Sequence, residues 1–280
     1  MKHILTAILT AIASIAYATA QTDSVAIADT SKDTDIATAA EPAPGLLAQQ
    51  ADSAYAQDNF ALAERLYLES IKQDGTSSTI FYNLGNAYYR QGNLGKAIVN
   101  YERALKLDPT NADARDNLDF VKSKITDRQI DEGSIMTKLW HNVISTFKAD
   151  TWAWIAVILF ALFLAGAFTY MLSSVILIKK LSFFGGMIIF MLCALTIIIS
   201  FAAANRVTDN RYAIILPPSA QLSTTPREAR TQAEEAFLLH EGTKVEIVDS
   251  ISGSSGEKWY EVKVGGRERA WIKASETERI

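Results

Sequence analysis

The sequence has few of the residues on which catalytic and redox chemistry depends. Among its 280 residues are one cysteine and three histidines. Because Cys193 has no second cysteine and lies in an apolar run, an intrachain disulfide, a cysteine zinc cluster and a CxxC redox centre are excluded. No Ser/His/Asp, Cys/His, paired-carboxylate or phosphate-loop arrangement is found in the sequence. We therefore expect no enzyme activity, no metal site and no cofactor.

An excess of positive charge is also lacking. The sequence has 27 Lys and Arg residues against 31 Asp and Glu, which gives a formal net charge of -4. Proteins that bind nucleic acid present a patch of Lys and Arg to the phosphate backbone. The composition therefore argues against nucleic acid as a partner.

Charged side chains are absent from two long stretches, residues 151–178 and 181–205, which are separated by Lys179 and Lys180. About 20 apolar residues suffice for a helix that crosses a bilayer, so the sequence predicts two transmembrane helices in an antiparallel hairpin. Positive residues in short loops prefer the cytoplasm. This places the Lys pair in the cytoplasm of a bacterium and both flanking domains in the periplasm, with the hairpin as an inner-membrane anchor.

The N-terminal residues are typical of an exported protein. Residues 1–20 combine Lys2, an apolar run and the sequence Ala18-Thr19-Ala20, which predicts a signal peptide cleaved between Ala20 and Gln21. An uncleaved anchor is the alternative. Residues 21–43 are mostly small and polar and predict a disordered linker. Export of this segment agrees with the orientation inferred for the hairpin.

A repeat pattern follows the linker. Eight residues have the spacing of a tetratricopeptide repeat (TPR): Phe81, Leu84, Gly85, Tyr88, Ala97, Tyr101, Ala104 and Pro109. A weaker copy lies one repeat period earlier, around AYAQDNFALAERLYLESIK. The segment resembles the TPR family, which implies an all-α array of two repeats and a capping helix over residues 44–127.

The resemblance also implies a groove that binds a protein partner along the first helix of each repeat. In the second repeat, the residues expected on that face are Thr79, Tyr82, Asn83, Asn86, Tyr89 and Arg90. Asn and Arg can bind an extended backbone, and Tyr supplies contact area. An ordinary solvated face is the alternative. A carboxylate clamp is disfavoured because the first repeat offers Asp52 and Tyr55 and lacks a matching Lys.

Residues 128–150 connect the array to the first apolar stretch. They mix apolar side chains, including Trp140 and Phe147, with Lys138, His141 and Lys148. This mixture predicts an amphipathic linker that lies on the membrane surface, with His141 at the interface and not in a catalytic site.

Residues 206–280 change to a strand-like pattern. Short β-rich runs are predicted at Tyr212–Leu216, Lys244–Val248, Trp259–Val264 and Ala270–Lys273, and turn residues separate them. The segment from Arg227 to Phe237 is rich in Ala and Glu and predicts one or more helical turns. A small all-β barrel is the expected fold.

Three segments of this region, LLHEGTKVEIVDS, KWYEVKV and GGRERAWIKASETERI, resemble a bacterial SH3-like (SH3b) domain. Ala270 departs from the glycine that is usual in the family. The resemblance implies ligand contacts on an aromatic surface that includes Trp259, Tyr260 and Trp271, whereas barrel core is the alternative for both tryptophans. His240 has no carboxylate or cysteine partner at a suggestive spacing, so a structural role is expected.

The order of these segments resembles the BatE-type proteins of Bacteroides aerotolerance (Bat) operons. The resemblance implies a complex with von Willebrand A-domain membrane proteins and a second TPR protein, alongside a MoxR-type ATPase, and a role in oxidative-stress tolerance. The expected function is a periplasmic scaffold. The alternative is a cell-wall tether whose SH3b domain binds peptidoglycan while the TPR recruits a wall enzyme.

Overall fold

The computed structural model describes residues 45–127, 134–252, 256–264 and 268–280. The predicted signal peptide, its cleavage site at Ala20 and Gln21, and the linker of residues 21–43 lie outside the described residues. All the described elements belong to one compact unit.

Five antiparallel helices form the first part of this unit. They are α1 (Leu46–Ala56), α2 (Phe60–Asp74), α3 (Ser78–Arg90), α4 (Leu94–Leu107) and α5 (Ala112–Lys122). The Asn59 and Asn111 side chains cap α2 and α5 by accepting bonds from backbone N–H groups. Fully buried alanines such as Ala63 and Ala97 let neighbouring helices approach closely. The predicted helical repeats are confirmed.

The two repeats share several packing and turn positions that are one repeat period apart. Tyr67 on α2 and Tyr101 on α4 are equivalent and are both 1% exposed. The turn before each of these helices contains a residue with positive φ, which is Asp58 (57°) in the first repeat and Gly92 (83°) in the second. At Gly85 a Cβ atom would lie 2.7 Å from Cε1 of Tyr101, so only glycine allows this approach of α3 to α4.

Three further helices follow: α6 (Ile135–Ile144), α7 (Ala149–Leu172) and α8 (Ile176–Thr208). The helices α7 and α8 pack side by side, with the rings of Phe163 and Phe190 5.3 Å apart. Most of their apolar side chains point away from the protein, and Trp154 and Leu177 are 68% and 75% exposed. Both helices are long and apolar enough to cross a membrane. The two predicted apolar helices are therefore confirmed.

The turn between α7 and α8 lies earlier than the sequence suggests. The helix α7 ends at Leu172 and not at Ile178, because the Ser173 hydroxyl accepts a bond from the Val175 N–H (3.1 Å) and turns the chain. Lys179 and Lys180 consequently lie in the first turns of α8 and not in the connection. The predicted amphipathic linker of residues 128–150 contains α6 and the first residues of α7.

The C-terminal region is an antiparallel sheet of seven strands. They are β1 (Tyr212–Ile215), β2 (Ser219–Ser223), β3 (Glu235–His240), β4 (Lys244–Ser252), β5 (Lys258–Val264), β6 (Glu268–Lys273) and β7 (Thr277–Arg279), in the order β3-β2-β6-β5-β4-β1-β7. The core contains Ile215, Leu222, Val262 and Ile272. No pairing joins β3 to β7 among the described residues, so the sheet is not closed.

Four of the strands, β1, β4, β5 and β6, correspond to the β-rich runs seen in the sequence. The strands β2, β3 and β7 were not predicted from the sequence. Within the segment predicted to be helical, only Gln232–Glu234 form a 3-10 turn, and β3 begins directly at Glu235. The pairing of Leu238 with Gln221 and of Leu239 with Ala220 draws this segment into the sheet.

Candidate protein-binding groove

Polar side chains on α1, α3 and α5 form two hydrogen-bonded clusters. In the first, Oδ1 of Asp52 accepts bonds from the Tyr67 hydroxyl (2.5 Å) and from Nδ2 of Asn83 (3.0 Å). In the second, Oδ1 of Asn86 accepts bonds from the Tyr101 hydroxyl (2.7 Å) and from Nδ2 of Asn117 (2.9 Å). Each member of the second cluster follows its counterpart in the first by one repeat period.

We call these six residues the polar row. In each cluster, one oxygen on a first helix accepts bonds from a tyrosine of the following helix and from an asparagine of the helix after that, so these side chains are held in fixed positions. Burial and then the hydrogen bond to Asp52 raise the pKa of Tyr67 well above its usual range, and burial does the same for Tyr101. Both hydroxyls therefore stay protonated and act as donors.

The polar row keeps groups that can bind a ligand. Nδ2 of Asn86 donates to no partner among the described residues, and Oδ1 of Asn83 and of Asn117 likewise accepts no bond there. Amide groups of this kind can bond with the N–H and C=O groups of an extended peptide. The arrangement suits backbone recognition better than acid–base chemistry.

Aromatic and basic side chains flank the polar row. The Tyr89 hydroxyl accepts a bond from Nζ of Lys124 (2.6 Å), and its ring lies 5.9 Å from that of Phe120. Phe120 is 51% exposed. Next to Tyr89, Arg90 pairs with Asp58 in the turn between α1 and α2 (3.0 Å). Sequence reasoning missed Phe120, although it stands one repeat period after Asn86, where a third repeat would have its polar residue.

The structure brings most of the predicted groove residues together. Asn83 and Asn86 belong to the polar row, and the half-buried ring of Tyr82 lies 6.1 Å from that of Tyr101. Thr79 is exposed one turn before Asn83. The assignment of these residues to partner binding stays a prediction.

The aromatic residues predicted on the sheet surface are mostly buried. Trp259 and Tyr260 are only 5% and 8% exposed. The guanidinium carbon of Arg279 lies 4.8 Å from the Tyr260 ring centre and covers it. Trp271 is partly exposed. The burial of Trp259 agrees with the alternative prediction that this residue belongs to the core of the sheet. Of Trp259, Tyr260 and Trp271, Trp271 is the most exposed.

The helical array and the sheet meet in a junction that the sequence did not reveal. Glu102 on α4 lies between Lys122 (2.8 Å) and Lys244 (3.2 Å). Although burial opposes ionisation, the two ammonium groups lower the pKa of Glu102 to about 2. Arg103 adds an ion pair to Glu278 on β7 (2.7 Å). This charged contact fixes the sheet against α4.

A second part of the junction involves His240, for which the sequence predicted a structural role. The Asp127 carboxylate accepts bonds from the His240 backbone N–H (2.7 Å) and the Thr243 hydroxyl (2.7 Å), and it lies 2.8 Å from the His240 ring nitrogen. His240 thus has a carboxylate partner, 113 positions away in the chain, where no spacing pattern could show it. Among the described residues, no bond of the junction involves the polar row.

Comparison with known protein families supports the repeat structure in one segment of the chain. A model of the tetratricopeptide repeat family matches residues 78–111, which comprise α3, α4 and the turn that leads to α5. No curated protein matches the chain. In the described part of the chain, no group of three or more His, Cys, Asp or Glu residues could hold a metal ion. The repeat supports a role in protein–protein interaction.

Proposed function

We propose that the protein is a non-enzymatic, membrane-anchored scaffold that binds an extended segment of a partner protein along the polar row. The observation that carries this proposal is the pair of equivalent hydrogen-bonded clusters, Asp52/Tyr67/Asn83 and Asn86/Tyr101/Asn117. They hold amide groups in fixed positions on the first helices, so little entropy is lost when a peptide binds.

The groups around the polar row favour a particular kind of peptide. Asp52 is exposed and acidic, which disfavours a terminal carboxylate beside it. Phe120 and Tyr89 offer an exposed aromatic contact next to the ammonium group of Lys124. An internal, extended segment with an apolar side chain near Phe120 is the ligand that fits best.

The hairpin is the proposed membrane anchor. Its helices of 24 and 33 residues expose apolar side chains along their length, which water would not tolerate. The helical array and the sheet are both attached at the end of the hairpin where α7 begins and α8 ends. Lys179 and Lys180 lie near the opposite end. By the preference of positive residues for the cytoplasm, we place both domains in the periplasm.

The sheet is proposed to be an SH3-like domain. Its strand order and the 3-10 turn at Ala274–Glu276 before the last strand are compatible with that fold. We further propose a BatE-type complex in which von Willebrand A-domain membrane proteins are the partners and oxidative-stress tolerance is the process. A cell-wall tether needs an aromatic surface on the sheet, and the burial of Trp259 and Tyr260 disfavours it.

The test is in vivo crosslinking of the full-length protein followed by mass spectrometry. Phe120→Ala removes an exposed contact at the groove and breaks no hydrogen bond. Leu68→Ala is the matched control, because Leu68 is also an exposed apolar residue (38%) but lies on α2. We expect the wild type and Leu68→Ala to recover crosslinked von Willebrand A-domain proteins in similar amounts. Phe120→Ala should recover at least severalfold less of them.

Two results would contradict the proposal. Equal recovery of partners with Phe120→Ala and Leu68→Ala would show that the groove does not bind them. Recovery of wall fragments and wall enzymes alone would favour the tether and move the binding surface to the sheet.

A further inference from the structure

A cavity of about 660 Å³ opens where the helical array meets the base of the hairpin. Its walls come from the end of α4, the following turn, α5, the end of α6 and the last turn of α8. The lining residues are Leu105, Pro109, Thr110, Arg115, Asn142, Ser145, Thr146 and Arg206. None of them belongs to the polar row, so the cavity is a different site.

Arg206 supplies a fixed cation on the α8 side of the cavity. Its Nη1 donates to the Ser145 hydroxyl (2.6 Å) and its Nη2 to the carbonyl of Leu105 (3.1 Å). Its Nε is buried and has no partner among the described residues. This Nε lies beneath the surface of the cavity, whereas the second N–H of Nη1 donates to no partner among the described residues and can donate to a ligand.

Further donors surround the same space. Among the described residues, the Arg115 side chain on α5 makes one bond, to the Pro109 carbonyl, which leaves its other N–H groups available. The Ser145 hydroxyl accepts from Arg206 and can therefore donate its own proton, and the Asn142 amide adds two more N–H donors.

The charge of the cavity is positive. Within the described part of the chain, no Asp or Glu lines it. Asp108, which hydrogen-bonds with Thr110 at the rim, is paired with Lys148 at 2.7 Å. The cavity is thus lined by two guanidinium groups, a hydroxyl and an amide, which are donors that proteins use for a tetrahedral phosphate.

The position of the cavity indicates the source of the phosphate. Arg206 lies in the last turn of α8 and Ser145 just before α7, at the level where both apolar helices leave the hairpin. The rings of Phe147 and Trp152, 5.5 Å apart, mark the same level, which is where aromatic residues meet lipid headgroups. The neighbouring helix α6 exposes apolar side chains such as Ile135 (80%), as expected for a helix on a lipid surface.

We propose that this cavity binds the phosphate group of an anionic phospholipid. The phosphate chemistry stands on Arg115, Arg206 and Ser145, whereas the lipid source rests on the proposed insertion of the hairpin in a membrane. The bound headgroup would connect the helical array to the bilayer and fix the height of the groove above it.

The test uses the full-length protein in neutral detergent and native mass spectrometry with added phosphatidylglycerol. We expect one lipid bound to the wild type and an affinity about tenfold lower in Arg115→Gln, which loses a charge-assisted hydrogen bond at an exposed position. Arg65→Gln is the control, because Arg65 is an exposed arginine on α2 and the change in charge is the same. Arg115→Lys keeps the charge without the forked geometry and should give an intermediate affinity.

The outcomes separate the cavity from the membrane proposal. Equal lipid binding by Arg115→Gln and Arg65→Gln would overturn the site. Binding of inorganic phosphate that depends on Arg115, without any binding of phosphatidylglycerol, would overturn the lipid source and identify a site for free phosphate. Extraction of the protein from membranes by alkaline carbonate would contradict the proposed anchor, and the arm with inorganic phosphate would still test the cavity.

Discussion

Replacement of Glu102 by Gln should loosen the sheet from the helical array. The Glu102 side chain is only 14% exposed and lies 2.8 Å from Lys122 and 3.2 Å from Lys244. Its pKa falls from the ordinary value of 4.5 to about 2. At about 1.4 kcal/mol for each pH unit, this difference corresponds to a stabilisation of about 3 kcal/mol at neutral pH.

The sign of the effect follows from the lowered pKa. A carboxyl group that ionises more easily in the folded state stabilises it above the unfolded pKa, so the contribution is complete above about pH 5. It is lost as the pH falls toward 2. Gln at position 102 removes the charge and keeps an acceptor for one of the two ammonium groups, so the variant loses the charge and the hydrogen bond to the other lysine.

Hydrogen–deuterium exchange of the full-length protein in detergent measures the loosening. The strands β1 and β7 contact α4 across the junction, and a loss of about 3 kcal/mol would speed exchange in their peptides by about 100-fold. Glu69→Gln is the matched control, because Glu69 is exposed on α2 and has no ion pair in the described structure. If β1 and β7 in Glu102→Gln exchange within threefold of Glu69→Gln, the electrostatic reasoning is refuted.

Three further outcomes are expected. Burial opposes ionisation of Asp127, yet hydrogen bonds from Thr243 and His240 lower its pKa overall. Asp127→Asn should therefore weaken the junction at pH 7 and match the wild type in acid, where the wild-type carboxylate is protonated. Near-UV circular dichroism during an acid titration would measure this difference. Gly85→Ala should destabilise the protein by about 1–3 kcal/mol in thermal unfolding, because Cβ would clash with Tyr101. Tyr101→Phe should cost about 1 kcal/mol in the same assay through the lost bond to Asn86, and an unchanged melting temperature would contradict this role.

The helical array and the hairpin could be predicted because the sequence patterns that indicate them involve residues that are close together in the chain. The spacing of Gly85 and Tyr101 reports a contact between adjacent helices, and an uncharged run reports a long apolar helix. The end of α7 was misplaced because the Lys pair is a strong signal in the sequence, whereas the turn depends on a single hydroxyl bond at Ser173.

The sheet and the junction could be predicted only in part because their contacts join distant positions. The short β7 is a strand only because it pairs with β1. Asp127 and His240 are 113 positions apart, and Glu102 is 142 from Lys244, so neither pair leaves a periodic pattern. At the groove, Asn83 and Asn86 were found by the repeat pattern, whereas Phe120 lies after the last match to it.

The constant repeat period has an evolutionary consequence. In each cluster of the polar row, one oxygen accepts bonds from a tyrosine 15 positions later and from an asparagine 31 positions later. Duplication of the block from Ser78 to Asn111 would reproduce every one of these bonds and lengthen the groove by one helix. An insertion of any other length in these helices would break at least one cluster, so lineages of this protein should gain or lose binding surface only in whole repeat blocks.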